Sequence, residues 1–490
     1  MKKPENFFLA AILFLASVVR IWRTDEVLGF YYDQGRDAQV IWDWIRNGEW
    51  FLIGPTTGIE GIFRGPWYYW LITPFYWLGG GNPILPAVFL ALTTVAALFI
   101  LFHLAKKIAG KTAGFIAVIV GSFSFFFMLS ARWLSNPTPM FLISMLLIYS
   151  LFLVLEGKKW AWIAIAFLIG MAMQFGSATE VFLYPAIGIF ALSVRKNLPT
   201  KKILLISFAA FAITVVPQIV FDIKHNGVLS NAVKEFLSKE ETFKSSLWEV
   251  AKERGKFYFD MFGSKLFPST AEYRKWFIYG GLLALFGTFK LWRTNKYLKT
   301  VLLVFTSPLV GMLFFQGNHG NVYDYYFTGY YFIFVLIFSS IFAYVSRHPL
   351  GKAALAIFLY LFLLNNLPIT KNYINDKGEG ENTINFGNQM RTLAWVYKDL
   401  DGCKDFNQDA YVPPVIPHSY DYLFTWQGHV RNCTPVTAQV DLLYTIYEVD
   451  PPHPERLQAW LDRQKGIGIV ERSTRFGGIT VERRSRISNR

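Results

Sequence analysis

Long apolar runs alternate with short basic ones from the N-terminus to about residue 370, and there the alternation stops. The runs lie at about 7–22, 84–104, 113–131, 138–155, 160–175, 179–194, 203–221, 276–292, 300–316, 327–345 and 350–367. Each is close to the roughly 20 residues a helix needs to cross the hydrocarbon core. The pattern predicts eleven membrane helices. The first run follows Lys2 and Lys3 as a signal peptide would, but no small-residue cleavage site follows it, so it counts as a span. Arg20, near its outer end, is expected to snorkel toward the interface.

Between the spans, two patterned stretches stand out in the first loop. Gln34 to Asn47 reads as a short helix with Asp33 as N-cap and Gly48 as stop. Its Ile41, Trp42, Trp44 and Ile45 suit a helix lying in the headgroup region. Pro66 to Leu78 reads as a second interfacial helix, rich in Trp and Tyr and closed by Gly79-Gly80-Gly81. In the loop 222–275, helices are expected at Asn231–Lys239 and Ser245–Phe259. Residues 371–490 have soluble composition, with helices expected near 387–400 and 454–464 and strands near 409–412, 467–471 and 478–482. The fold class is therefore an integral membrane all-α body, 1–370, with a small C-terminal soluble α/β domain, 371–490.

Charge fixes the expected topology. With the N-terminus inside, the inner loops hold Lys106, Lys107 and Lys111; Lys158 and Lys159; Arg195, Lys196, Lys201 and Lys202; Arg293, Lys296 and Lys299; and Arg347 and Lys352. All are basic, as the positive-inside rule asks. The net charge of +14 thus reads as a topology signal, not as a surface for nucleic acid. An odd number of spans puts the C-terminal domain outside. The expected location is the plasma (inner) membrane, multi-pass, with a cytoplasmic N-terminus. Cys403 and Cys433 both fall in the outer domain, where thiols oxidise, and are expected to pair.

Ionisable residues are almost absent from the span interiors and collect at the outer ends, which fits chemistry at the outer interface better than a path across the bilayer. Asp33 and Asp37 stand i,i+4, on one helix face. Asp33 would act as general base on an incoming hydroxyl, and Asp37 could hold a substrate hydroxyl or a divalent cation. As local structure alone, the same pair would cap the helix and complement its dipole. Arg64, Arg132 and His319 are headgroup anchors on one reading and phosphate ligands on another. Asn318-His319-Gly320-Asn321 is also a plausible turn, and Tyr323, Tyr325 and Tyr326 an aromatic belt.

These residues resemble the GT-C membrane glycosyltransferases, the superfamily of protein O-mannosyltransferases and lipid A aminoarabinose transferases, and in particular the bacterial family 39 or rhizobial lipopolysaccharide-transferase-like branch. Asp33-Gln34 stands where that superfamily carries an Asp-Glu pair. Arg64-Gly65-Pro66-Trp67-Tyr68-Tyr69-Trp70 resembles its basic-Pro-Pro-Leu-Tyr-Tyr-Trp stretch, with Gly65 in place of the first Pro. Arg132 with Asn136-Pro137, Phe221 to Gly227, and Tyr325-Tyr326 resemble later segments of the branch. The resemblance covers roughly 1–345.

It implies an inverting glycosyltransferase that moves a sugar from a polyprenyl phosphate to a hydroxyl of a cell-envelope acceptor (glycan, lipid or protein) at the outer face. It implies Asp33 and Asp37 as catalytic residues. Arg64, His319, Tyr325 and Arg132 would hold the donor phosphate, and Tyr323, Asp324, Lys224 and His225 the rest of the substrates. No cofactor is implied with certainty; a divalent cation is open. Two alternatives remain from the sequence: a transporter or flippase of polyprenyl-linked sugar, and a non-catalytic membrane scaffold.

Overall fold

The computed structural model describes residues 4–59, 61–239, 246–268, 274–276, 278–281, 288–315, 320–413 and 416–487. Five helices among them are long and apolar enough to cross a membrane: Pro4–Ile21, Ile84–Ala109, Lys201–Lys224, Asp324–Val345 and Pro349–Ile374. Met140–Leu155, Ala161–Phe175 and Ala178–Ser193 are apolar but shorter. Lys296–Gly311 occupies the place of the expected span 300–316. The span expected at 276–292 lies largely outside the described residues. The protein is a multi-pass membrane protein.

The body is held together at small residues. Gly114 lies against Phe102, and Gly121 against Leu98, Leu101 and Phe332, where the helices Ile84–Ala109, Lys111–Phe123 and Tyr331–Val345 meet. Without a hydrophobic drive between helices in lipid, close backbone approach supplies the attraction.

One expected span is broken. Lys111–Phe123 and Phe125–Ala131 meet at a 66° bend, at Ser124, which is extended. A break at membrane depth frees carbonyls that lipid cannot satisfy. Arg20 satisfies them: it donates to the Gly121 carbonyl at 2.9 Å, to Ser122 at 3.1 Å and to Thr94 Oγ1 at 3.1 Å. Arg20 is therefore buried, not snorkelling. The Ser124 hydroxyl closes the other side by donating to the Lys265 carbonyl at 2.6 Å.

The C-terminal domain is a four-stranded sheet with helices. β1 (Asn407–Tyr411), β2 (Leu442–Glu448), β3 (Gly468–Phe476) and β4 (Ile479–Arg486) stand in the order β1-β2-β4-β3. β1 and β2 are parallel; the other pairs are antiparallel. The helices are Phe386–Asp399, His418–Arg431 and Pro454–Lys465. Cys403 and Cys433 are joined by a disulfide.

This domain sits on the first loop. Gly35 lies against the backbone of His418 and Ser419, where an added Cβ would meet backbone atoms at 2.4 Å. Trp42 packs on Tyr422 and His429. The Tyr422 hydroxyl donates to Gly81 O, and Trp426 Nε1 donates to Gly80 O at 2.9 Å. Phe386 N donates to Leu28 O and Gln389 Nε2 to Phe30 O. The Tyr32–Asn47 helix thus buries Ile41 and Trp42 in protein. The expectation that Trp42 lies among headgroups is corrected: Tyr422 and His429 of the C-terminal domain cover it, while Trp44 packs on Trp50 and Phe51 of its own loop.

Candidate active site

Tyr31, not Asp33, precedes the helix Tyr32–Asn47. The Gln34 side chain fixes that start. Its Oε1 accepts from Tyr31 N at 3.0 Å and its Nε2 donates to the Leu134 carbonyl at 3.1 Å. An ionised glutamate in this position has no N–H for that carbonyl. Asp33 falls in the first turn, exposed, where its charge suits the helix dipole. Arg36 lies 3.0 Å from Asp33 and 2.8 Å from Asp37. Asp37 is buried and also accepts from the Tyr69 hydroxyl at 2.8 Å. Burial pushes its carboxyl up to about 6, against the pull of Arg36 and Tyr69. The Tyr68 hydroxyl is buried near both carboxylates and has no partner among the described residues.

A short ribbon carries the next cation. Gly54 N donates to Arg64 O and Arg64 N to Pro55 O, with Thr56 and Phe63 bridged between. At one end, Thr56 Oγ1 accepts from Arg36 at 2.9 Å. At the other, Arg64 donates to the Gly176 carbonyl. Gly65 N donates to Gln174 Oε1 at 2.7 Å, and a Cβ there would meet that oxygen at 2.2 Å. A proline at position 65 would lack the donor. Burial lowers the Arg64 guanidinium from its ordinary value, and the Glu180 carboxylate and the Tyr325 and Tyr326 hydroxyls oppose that. The ribbon therefore sets Arg64 against the Gly176 carbonyl, within electrostatic reach of Glu180, Tyr325 and Tyr326.

Beyond Tyr325 opens a cavity of about 620 Å³, bounded by Tyr31, Arg132, Trp133, Lys265 and Asp324 among others. Lys265 is its main cation. It is 1% exposed, 2.7 Å from Asp324, and faces the rings of Tyr331 and Phe126 at 4.6 and 5.0 Å. Burial lowers the ammonium, and Asp324 opposes the shift. Asp324 also accepts from the Tyr331 hydroxyl. Arg132 spends two donors on Val19 O and Trp22 O, which fixes it to the end of the first helix. Tyr323 stacks on Tyr325 at 5.7 Å.

Several expected site residues thus converge: Asp33 with Asp37, Arg64 with Tyr325, and Arg132, Asp324 and Tyr325 around one cavity. Lys224 and His225 do not line it; they are exposed at the end of Lys201–Lys224, with His225 stacked on Phe221 at 4.0 Å. His319 lies outside the described residues. Lys265 escapes sequence reading as one charge among many in a mixed loop. Its signal is its spacing: it stands i,i+3 and i,i+4 from the buried Phe262 and Met261.

Residues 64–221 match the model of the dolichyl-phosphate-mannose-protein mannosyltransferase family. Among solved structures, the chain is similar to ArnT from Cupriavidus metallidurans bound to undecaprenyl phosphate, at 11% identity and TM-score 0.62, over 99% of this chain and 98% of that one. It is similar to the apo state of the same protein at 11% identity and TM-score 0.58, over 97% of each chain. A comparison with curated protein sequences gives no match. The chain has the GT-C glycosyltransferase fold.

Within that GT-C fold the cavity lies where Gly29 and Tyr31, Arg132 and Trp133, Asp324 and Tyr325, and Thr383 to Asn385 of the C-terminal part come together; Asp33 and Arg64 do not line it. A divalent cation is poorly suited to the Asp33–Asp37 pair, because Arg36 already lies between the two carboxylates. Among the described residues no three His, Cys, Asp or Glu side chains gather as a metal site.

Proposed function

We propose that the protein transfers a sugar from a polyprenyl-phosphate donor to a hydroxyl of a cell-envelope acceptor (glycan, lipid or protein) with inversion at the anomeric carbon. The observation that carries this reading is the cavity holding buried Lys265, with Arg132 and Tyr325 on its wall, beside Tyr31, two residues before Asp33. A buried cation whose one ion-pair partner among the described residues, Asp324, is itself half exposed suits an anion brought in by a lipid.

The phosphate sits against Lys265, with Tyr325 and Arg64 closing from the ribbon side. Asp33 takes the proton of the acceptor hydroxyl. The acceptor oxygen forms its bond to the anomeric carbon from the face opposite the phosphate. The carbon–oxygen bond to phosphate breaks, and its electron pair leaves on the phosphate. The cations take up that charge, so no strong general acid is required. Asp37 positions Arg36, and through it the Asp33 carboxylate. No step is routed through a metal.

The reaction is placed at the outer face of the inner membrane, with the N-terminus cytoplasmic. The basic loops and the Cys403–Cys433 disulfide support this side. Mass spectrometry of cell-surface glycans and glycolipids with and without the gene tests the reading. Loss of one sugar from one envelope component is expected; identical profiles would count against it.

A further inference from the structure

A second cavity, of about 660 Å³, lies in the C-terminal domain between β1, the helix His418–Arg431 and the segment 434–439. Its volume is in the range of small-molecule sites, and its wall is preformed. Asn407 donates to Val436 O at 2.8 Å and Ala438 O at 2.9 Å, and accepts from Val440 N at 3.0 Å and Arg486 at 3.1 Å. All its capacity goes into holding that segment in place.

The other polar groups lining the groove are amides, hydroxyls and one carboxylate: Gln439 and Thr437, with Gln408, whose Nε2 donates to Asp421 Oδ1 at 3.4 Å, and Thr425, whose hydroxyl donates to the Asp421 carbonyl at 2.9 Å. Gln408 Oε1 is buried and has no partner among the described residues, an acceptor whose desolvation nothing yet offsets. Phe424 supplies an apolar floor. Arg486, the one Lys or Arg among the described residues that line the groove, already donates to Asn407 and to Val440 O at 2.9 Å, and the Asp421 carboxylate is also part of the lining. An anion would meet a carboxylate and no free cation. A polyhydroxyl ligand would meet both donors and acceptors and an apolar surface for its C–H face.

The placement adds a length requirement. Tyr422, Trp426 and His429 of the groove's helix pack toward Gly80, Gly81 and Trp42, while Asp421, Phe424 and Thr425 face the groove. The groove therefore lies across one helix from the helix that carries Asp33. A helix with its side chains is roughly 10–12 Å thick, more than one sugar ring spans.

We propose that this groove is a subsite for an uncharged oligosaccharide, the chain of a glycan acceptor whose end reaches Asp33. The proposal rests on the transferase reading above and narrows its acceptor to a saccharide of several units.

The test uses the full-length protein in nanodiscs. The probes are neutral oligosaccharides released from the cell's own surface polysaccharide, the corresponding monosaccharides, and a short-chain polyprenyl phosphate. Thr437→Ala/Gln439→Ala changes two exposed groove residues, and Gln408→Leu removes the unpartnered acceptor. The groove requires that oligosaccharides bind, that monosaccharides bind at least 10-fold more weakly, and that the exposed double variant weakens oligosaccharide binding at least 10-fold. Polyprenyl-phosphate affinity and melting temperature should not change. With a glycan acceptor, KM should rise while kcat holds. Oligosaccharide affinity unaltered in the double variant, or preference for acidic saccharides, would overturn the groove even if transfer is observed. Groove-dependent binding with no transfer from any polyprenyl-linked sugar would instead uphold the groove and sink the transferase reading.

Discussion

Lys265 and Asp324 stand 2.7 Å apart, and the pair is lopsided: the lysine is buried, the aspartate side chain half exposed. An incoming phosphate can therefore share the lysine without evicting a buried carboxylate. Lys265→Met should weaken binding of a short-chain polyprenyl phosphate on the order of 10- to 100-fold, the scale of one charge-assisted hydrogen bond. Arg64→Ala should weaken it too, and Arg64→Lys should restore only part, because the fork is lost. Titration of purified protein decides; unchanged affinity in both Lys265→Met and Arg64→Ala would move the phosphate elsewhere.

At Gly35 the first loop lies directly against the backbone of His418 and Ser419 in the C-terminal domain. Gly35→Ala places a methyl group against the His418–Ser419 backbone, and overpacking of this kind costs about 1–3 kcal/mol. A lower melting temperature and faster proteolytic release of residues after 375 are expected. Gly48→Ala is the control, since nothing lies within 4 Å of a Cβ there and its strain is local.

Most of the apolar runs are legible in the sequence as helices because lipid demands long apolar stretches, and both loop helices are legible from their apolar spacing and glycine stops; the run 276–292 lies largely outside the described residues. It hides what depends on long-range packing. The break at Ser124 lies inside an unbroken apolar run, and only Arg20 reveals the need to satisfy carbonyls there. The helix His418–Arg431 is rich in aromatic residues of modest helix propensity and earns its shape by burial against Trp42 and Gly81. Asp33 looks like a cap because Asp caps so often; the chain instead uses Gln34, whose second contact lies a hundred residues away. Of the residues that line the cavity, the sequence singles out Arg132, Asp324 and Tyr325 by position but not Lys265.

Asp37 gives a pH test. Its carboxyl is raised by burial from the usual 3.8 to about 6. Between those values the folded state holds more protons than the unfolded one, so this group's contribution to stability falls as pH rises from about 4 to 6. Asp37→Asn removes that dependence. The melting temperature of the variant relative to wild type should rise across the window; a constant difference would mean that Asp37 titrates normally.

Topology is tested by single cysteines at exposed positions. Thr200→Cys should be reached only from the cytoplasm and Ser473→Cys only from outside. The native Cys403 and Cys433 should resist alkylation until reduced. Labelling of both engineered positions from the same side would overturn the arrangement.

In the proposed reaction Asp33 removes the acceptor proton. Asp33 is exposed and paired only with Arg36 in the described structure, so Asp33→Asn keeps its size and leaves Asp37 to hold Arg36. The decisive measurement is single-turnover transfer from a defined polyprenyl-phosphate sugar by wild type and Asp33→Asn at saturating donor. A loss of roughly 10²-fold or more is expected, the scale of a general base, with donor affinity unchanged. Turnover near that of wild type would contradict it.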